Sequence, residues 1–178
     1  MKKHLLISLI ILALCAGGAN AALIESNTWK GRNVVSVGMS LFGGTGIVSS
    51  LDIGIDSKMS VGGSVGVCFE NDNPYLADFH LSYQFIEPTY RDPLAMSFVG
   101  GIWGGTSDGI WVHKQKKDLY IMPELGITMS YPLANRVRGR LNLVYGPSLG
   151  IEVGFLIHPR FEAIVAISQQ VLGVKFVF

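Results

Sequence analysis

The stretch "ADFHLSYQF" at 77–85 sets Asp78, His80 and Ser82 at every second position. Carboxylate, imidazole and hydroxyl are the parts of a nucleophilic triad, in which the acid orients the base and the base takes the hydroxyl proton. On one face of an extended strand, however, residues two apart have Cβ atoms about 7 Å apart. That is far for a hydrogen-bonded relay, so a histidine held in a polar interior is expected and no catalytic residue is assigned. The ionisable residues at matching positions elsewhere are Asp52, Glu70, Glu124, Arg138, Arg140, Glu152, Glu162 and Lys175. Confined together, such acids and bases must pair across strands, because an isolated buried charge is costly. Arg138 and Arg140 are the expected centre, with Glu124 one strand back and Glu152 one strand on. A charged ring lining a narrow pore is the other chemistry open to this set. No metal-ligand spacing, phosphate-binding glycine loop or other cofactor motif is present, so neither metal nor cofactor is expected.

What must position these side chains is alternation. In "MSVGGSVGVCFE", Met59, Val61, Val65, Val67 and Phe69 share one face, opposite Ser60, Gly62, Ser64, Gly66, Cys68 and Glu70. "LYIMPELGITMSY" and "VRGRLNLVY" split the same way, with Glu124, Arg138 and Arg140 on the polar side. Period two places the two sets on opposite faces of a strand. Turn chemistry breaks the pattern at Asp56-Ser57-Lys58, Glu87 to Pro93, Pro132 to Asn135 and His158-Pro159-Arg160, among others. The breaks delimit about ten strands, at 34–42, 47–56, 59–70, 76–86, 94–103, 118–131, 136–146, 148–157, 161–168 and 171–178. Alternation keeps its phase across Gly146-Pro147-Ser148 and changes phase near Gln169-Gln170. Merging strands at those two points gives eight, the alternative count.

Composition says where such strands would be stable. Charged residues are 15% of the 178, glycines number 22, and mean hydropathy is +0.39. An average soluble domain is about 25% charged. The start, "MKKHLLISLIILALCAGGANAALIES", has two lysines, an apolar run from Leu5 to Ala16, and small residues around Ala19-Asn20-Ala21. That is the layout of a secretory signal peptide, too short to span a bilayer. Cleavage is expected after Ala21 or Ala22. A lipoprotein signal on Cys15 is the competing reading, with Leu14 where a small residue should stand. Removal of Lys2 and Lys3 takes the formal charge from +1 to −1, which does not suggest nucleic acid. Cys68 is then the one remaining cysteine, so no intramolecular disulfide is expected. The domain reading is a signal peptide at 1–22, a short periplasmic lead-in at 23–33, and a single barrel at 34–178.

Soluble lipocalin-like barrels also alternate, and a soluble periplasmic binding barrel is one alternative. Here the polar face is mostly Ser and Gly with scattered charges, while the apolar face is bulky strand after strand. Small side chains suit a confined interior and bulky ones suit lipid. With both termini periplasmic, odd-to-even connections are extracellular, including the longest, "GGTSDGIWVHKQKK" at 104–117. Tyr83, Phe85, Tyr131, Phe155, Phe161 and Phe178 then lie near the periplasmic rim, and Phe42, Phe69 and Tyr145 near the other, as a pair of aromatic girdles.

The chain ends "LGVKFVF", with Leu172, Val174, Phe176 and Phe178 at alternate positions. With the signal peptide, this resembles the small bacterial outer-membrane β-barrel proteins. The resemblance implies an all-β, antiparallel, up-and-down transmembrane barrel in the cell outer membrane. It also implies that those four residues form the signal read by the barrel assembly machinery. The expected function is a structural, surface-interaction or narrow, porin-like role rather than enzymatic. An outer-membrane lipid-modifying enzyme is the alternative. Lipid and lipopolysaccharide are the expected partners, the latter meeting Trp111, Lys114, Lys116 and Lys117 in the long loop. Ten strands give a backbone radius of roughly 10 Å, enough for a narrow cavity if inward side chains are small.

Overall fold

The computed structural model describes residues 33–40, 45–69, 75–106, 119–146, 150–167 and 170–178. The proposed signal peptide, nearly all of the lead-in, Phe42, Glu70, and the loop with Trp111, Lys114, Lys116 and Lys117 lie outside them. Ten strands follow one another: β1 (Asn33–Ser40), β2 (Gly46–Gly54), β3 (Met59–Cys68), β4 (Tyr75–Ile86), β5 (Ala95–Gly105), β6 (Tyr120–Ala134), β7 (Val137–Tyr145), β8 (Gly150–His158), β9 (Phe161–Ile167) and β10 (Gln170–Val177). Each pairs antiparallel with the next, and β10 returns to β1, closing a barrel.

The closing seam runs from Val34 opposite Val177 to Ser40 opposite Gln170, with a register shift between Met39 and Ser40. Beyond it, Asn33 and Phe178 exchange two backbone hydrogen bonds of 3.0 Å. Among the described residues every strand therefore has two neighbouring strands, and none is an edge strand of the sheet. The count is ten because β7 and β8 pair with each other as separate antiparallel strands. β7 stops at Tyr145, and Gly146 follows at φ +152°, a conformation that a side chain would strain. β9 and β10 pair likewise, so the eight-strand alternative does not hold.

Local chemistry fixes the turns on one side. Asp56 Oδ1 accepts the backbone N–H groups of Lys58 and Met59, both at 2.7 Å, which tightens the β2–β3 turn. Lys58 Nζ reaches Glu87 Oε1 at 2.9 Å, tying this turn to the start of the β4–β5 connection. That hydrogen bond holds the Lys58 ammonium pKa above its ordinary value. Both side chains are half exposed, so the pair orients two turns more than it stabilises them. At the other end β6 runs past β7: residues 120–124 pair with β5, and pairing to β7 begins at Leu125 opposite Tyr145. Pro123 sits in that overhang, where its missing N–H costs no β6–β7 ladder bond.

The alternation resolves into a polar interior and an apolar exterior. Phe79 is 55% exposed and Leu125 is 70% exposed, whereas His80 and Glu124 beside them are 2% and 1% exposed. Each of the ten strands contributes at least one buried polar or charged side chain, Ser36, Asp52, Ser64, Asp78, Ser97, Glu124, Arg140, Glu152, Glu162 and Lys175 in chain order. Apolar side chains are buried beside them, among them Val34, Val48, Leu76, Val99, Trp103 and Ile164. Leu76 and Trp103 pack with Tyr120 and Met122 near the end where β5 and β6 project, and Val99 meets Val144 lower down.

Two glycines let β4, β5 and β6 curve into the ring. A Cβ on Gly126 would lie 2.4 Å from Val144 Cα, and one on Gly101 would lie 2.8 Å from His80 Cα, in both cases against a neighbouring backbone that cannot yield. By contrast, a Cβ on Gly100 would meet only Leu125 Cδ1, at 4.0 Å. Gly126→Ala is therefore expected to destabilise the barrel by about 1–3 kcal/mol, and Gly100→Ala to be near neutral. Equilibrium urea unfolding of the two variants in the same solubilising medium checks the contrast.

Candidate functional site: the polar interior

Register assembles the first cluster. Asp52, Gly62, His80, Gly101 and Glu124 are successive cross-strand partners from β2 to β6. The glycines on either side of His80 leave room for its ring and for the carboxylates beyond them. A Cβ on Gly62 would lie 2.6 Å from His80 Nε2 and would overlap Asp52 Oδ1. Across that gap His80 Nε2 meets Asp52 Oδ1 at 2.9 Å, and His80 Nδ1 meets Asp78 Oδ1 at 2.7 Å. Ser64 Oγ, on β3 directly opposite Asp78, donates to Asp78 Oδ2. Glu124 completes the group: one ligand atom each from Asp78, His80 and Glu124 lie within 4.8 Å of one another.

The expected separation of Asp78 from His80 is thus corrected. Cβ spacing along a strand overstates the distance when both side chains lean toward each other, and carboxylate plus imidazole are long enough to close the gap. A catalytic triad is still not assembled. Both ring nitrogens face carboxylates, and Ser82 Oγ pairs instead with Ser60 Oγ at 2.6 Å. Asp78, His80 and Glu124 come together from β4 and β6 through register rather than through proximity in the sequence.

The second cluster occupies β7 to β10. Arg140 Nη1 donates to Glu152 Oε1 and Nη2 to Glu162 Oε2, each at 2.6 Å. Lys175 Nζ lies 2.8 Å from the same Glu152 Oε1. One carboxylate oxygen therefore joins β7, β8 and β10. Arg140 reaches Glu162 over Gly154, whose added Cβ would stand 2.9 Å from Arg140 Nη1. Arg138, expected to share the centre, is half-buried, sits one inward position nearer the β6–β7 turn and lies opposite Gly154. Glu162, two strands on from Arg140, is the partner that strand order alone did not suggest. Between the clusters, Ser36 Oγ and Ser50 Oγ hydrogen-bond at 2.7 Å, which completes a polar band around the wall.

Leu172 and Val174 point outward on β10, and Phe176 and Phe178 stack with ring centroids 6.0 Å apart. Trp103 belongs to no motif in the sequence. It points inward, donating its indole N–H to Pro123 O at 3.1 Å and meeting Tyr120 edge-on at 5.3 Å. The signal for it was its period-two phase with Gly101 and Val99.

No family model matches the chain, and no curated protein matches it in sequence. Among solved structures it is similar to the N-terminal β-barrel domain of Pseudomonas aeruginosa OprF, with 15% identity, 84% of this chain and 98% of that chain covered, and a TM-score of 0.48. The likeness is too slight to bear on function.

Glu152 is the member whose loss touches most partners. Glu152→Leu removes the oxygen shared by Arg140 and Lys175 and is expected to cost about 3–5 kcal/mol. Adding Lys175→Met should restore part of that, because a charge is then removed with its partner. Denaturant midpoints of the single and double variants provide the measurement.

Proposed function

We infer that this chain is an integral outer-membrane β-barrel whose interior is closed by its own polar side chains, serving a structural or surface-interaction role rather than as a standing pore. One observation carries the reading: the apolar exterior is exposed while the interior charges are shielded from water. Glu152 is 0% exposed and Arg140 is 3% exposed. A lumen wide enough for a file of water would wet such side chains. A soluble barrel would present the opposite arrangement, with charge outside and apolar residues within. An apolar outer wall around a closed ring is stable against lipid, where every backbone group must be satisfied internally.

The same geometry favours a non-enzymatic role. His80 and Ser82 face the closed interior, away from the lipid-facing wall, so a lipid substrate has no route to them. The outer-membrane location, the cleaved signal at 1–22, recognition of Leu172, Val174, Phe176 and Phe178 by the assembly machinery, and contact of the 104–117 loop with lipopolysaccharide belong to this proposal. Their support is the sequence pattern and the inside-out burial.

The test is electrical. Purified protein in planar bilayers is expected to give no sustained conductance, while Glu152→Ala combined with Arg140→Ala should give resolvable openings. Steady unitary currents from the unaltered chain would replace the closed barrel with a pore. Replacement of His80 and Ser82 is expected to leave lipid A composition in cells unchanged, checked by mass spectrometry of extracted lipid.

A further inference from the structure

Four connections, β2–β3, β4–β5, β6–β7 and β8–β9, lie at one end of the barrel, and charge is unevenly spread among them. The first two hold Asp56, Glu87 and Asp92 beside Lys58 and Arg91, and Lys58 is paired with Glu87. The other two are basic throughout. Residues 131–139 and 155–161 contain Arg136, Arg138, His158 and Arg160 and no Asp or Glu. Arg136 and Arg160 are exposed and Arg138 is half-buried. Among the described residues none of these three arginines forms an ion pair.

Pairing brings the basic residues together. Leu156 donates its N–H to Arg136 O at 2.8 Å, and Val177 donates to Arg160 O at 3.0 Å, which fixes the two arginines at the starts of β7 and β9. Two strand spacings separate them, about 10 Å. His158 ends β8 between them, and its Nδ1 accepts the Arg160 N–H at 3.3 Å, leaving Nε2 as the donor of the neutral ring. The apolar outer wall rises to the same level. Leu133 stands three residues before Arg136 and Ile157 three before Arg160, both exposed, with exposed Tyr131 and Phe155 next in phase. Three residues of a strand tilted near 40° advance at most about 8 Å along the barrel axis. The polar layer beyond the hydrocarbon core is about 5–8 Å deep on each side. Both arginines are therefore level with lipid phosphates.

We propose that Arg136 and Arg160 bind the phosphate of a phospholipid of net negative charge, whose acyl chains lie on Tyr131, Leu133, Phe155 and Ile157. A guanidinium presents a planar fork that matches two phosphate oxygens. Arg138 and His158 add positive potential and a donor at the same place. A zwitterionic phospholipid brings an ammonium group that the arginines repel. A free anion would use the charges and leave the apolar wall unmatched, so charge and apolar surface at one depth select an amphiphile. The site rests on the reading of this chain as a membrane barrel and adds to it the lipid that one side of the rim prefers.

Delipidated full chain in detergent is titrated with phosphatidylglycerol or phosphatidylcholine of matched acyl chains, and lipid-bound species are counted by native mass spectrometry. The first phosphatidylglycerol is expected to bind about 25-fold more tightly than phosphatidylcholine, about fivefold for each exposed arginine. Arg136→Gln or Arg160→Gln should each leave a preference of about fivefold, and the two together should erase it. Arg91→Gln, on the balanced side of the same rim, should leave it unchanged. Circular dichroism checks that the variants keep their strands. Excess inorganic phosphate should not displace the lipid, and displacement would give the site to a free anion and overturn the proposal. Flotation with vesicles tests the membrane reading separately. A chain that does not float overturns that reading and the site with it. A chain that floats but binds the two lipids equally, or keeps its preference in the double variant, overturns the site alone.

Discussion

Closure of β10 onto β1 is the constraint from which the rest of this molecule follows. It satisfies the backbone of the last open edge, with Asn33 and Phe178 exchanging hydrogen bonds at the end of the seam. It also gathers the inward faces of all ten strands around one axis, where a buried polar group finds its partners on the wall. The cross-links are accordingly spread around the ring. Asp52 and Asp78 join β2 to β4 through His80, Ser36 joins β1 to β2, and Glu152 joins β7, β8 and β10 through a single oxygen. Each side chain serves several strands, because a buried charge with one imperfect partner would cost more than it returns.

Much of this was legible in the residues because side-chain period and strand geometry are the same two-residue repeat. Alternation placed the strands near their observed bounds and put Asp52, His80, Arg140 and Lys175 on one face. Partner identity was harder to read. It depends on register, and register is set by turn lengths and ring closure rather than by any one strand. Arg140 meets Glu162 from two strands away because Gly154 between them has no side chain, a fact invisible until the two hairpins are aligned. Asp78 and His80 meet for a different reason: the reach of their functional atoms, not the spacing of their Cβ atoms, decides the contact.

Glycine has two physical uses in this wall. Gly126 removes a Cβ where the chain curves against a neighbouring backbone, a matter of shape. Gly62 and Gly154 remove one where a polar group must cross a strand to reach its partner, a matter of electrostatics. The high glycine content read from composition therefore does not mean an empty lumen. Space vacated by the small residues is filled by the long ones beside them, which is why a ring of ten strands closes around His80, Gln84, Glu124, Glu152 and Lys175 with almost no exposed surface on any of them.

The apolar contacts inside bear on how strongly the charges interact. Leu76, Trp103, Tyr120 and Met122 lie inward where β5 and β6 project, and Trp103 sits directly across the sheet from Asp78. An aromatic layer at that position excludes water from the Asp78–His80 side of the band. Exclusion lowers the local dielectric, which strengthens satisfied pairs and penalises unsatisfied ones in the same measure. The tryptophan and the acid cluster are thus coupled although no hydrogen bond between them is needed: removing the ring would admit water and weaken the same carboxylate–imidazole contacts that it now protects. Closed backbone, shielding aromatic layer and cross-strand polar network each make the others less costly, and a change in any one is felt in the other two.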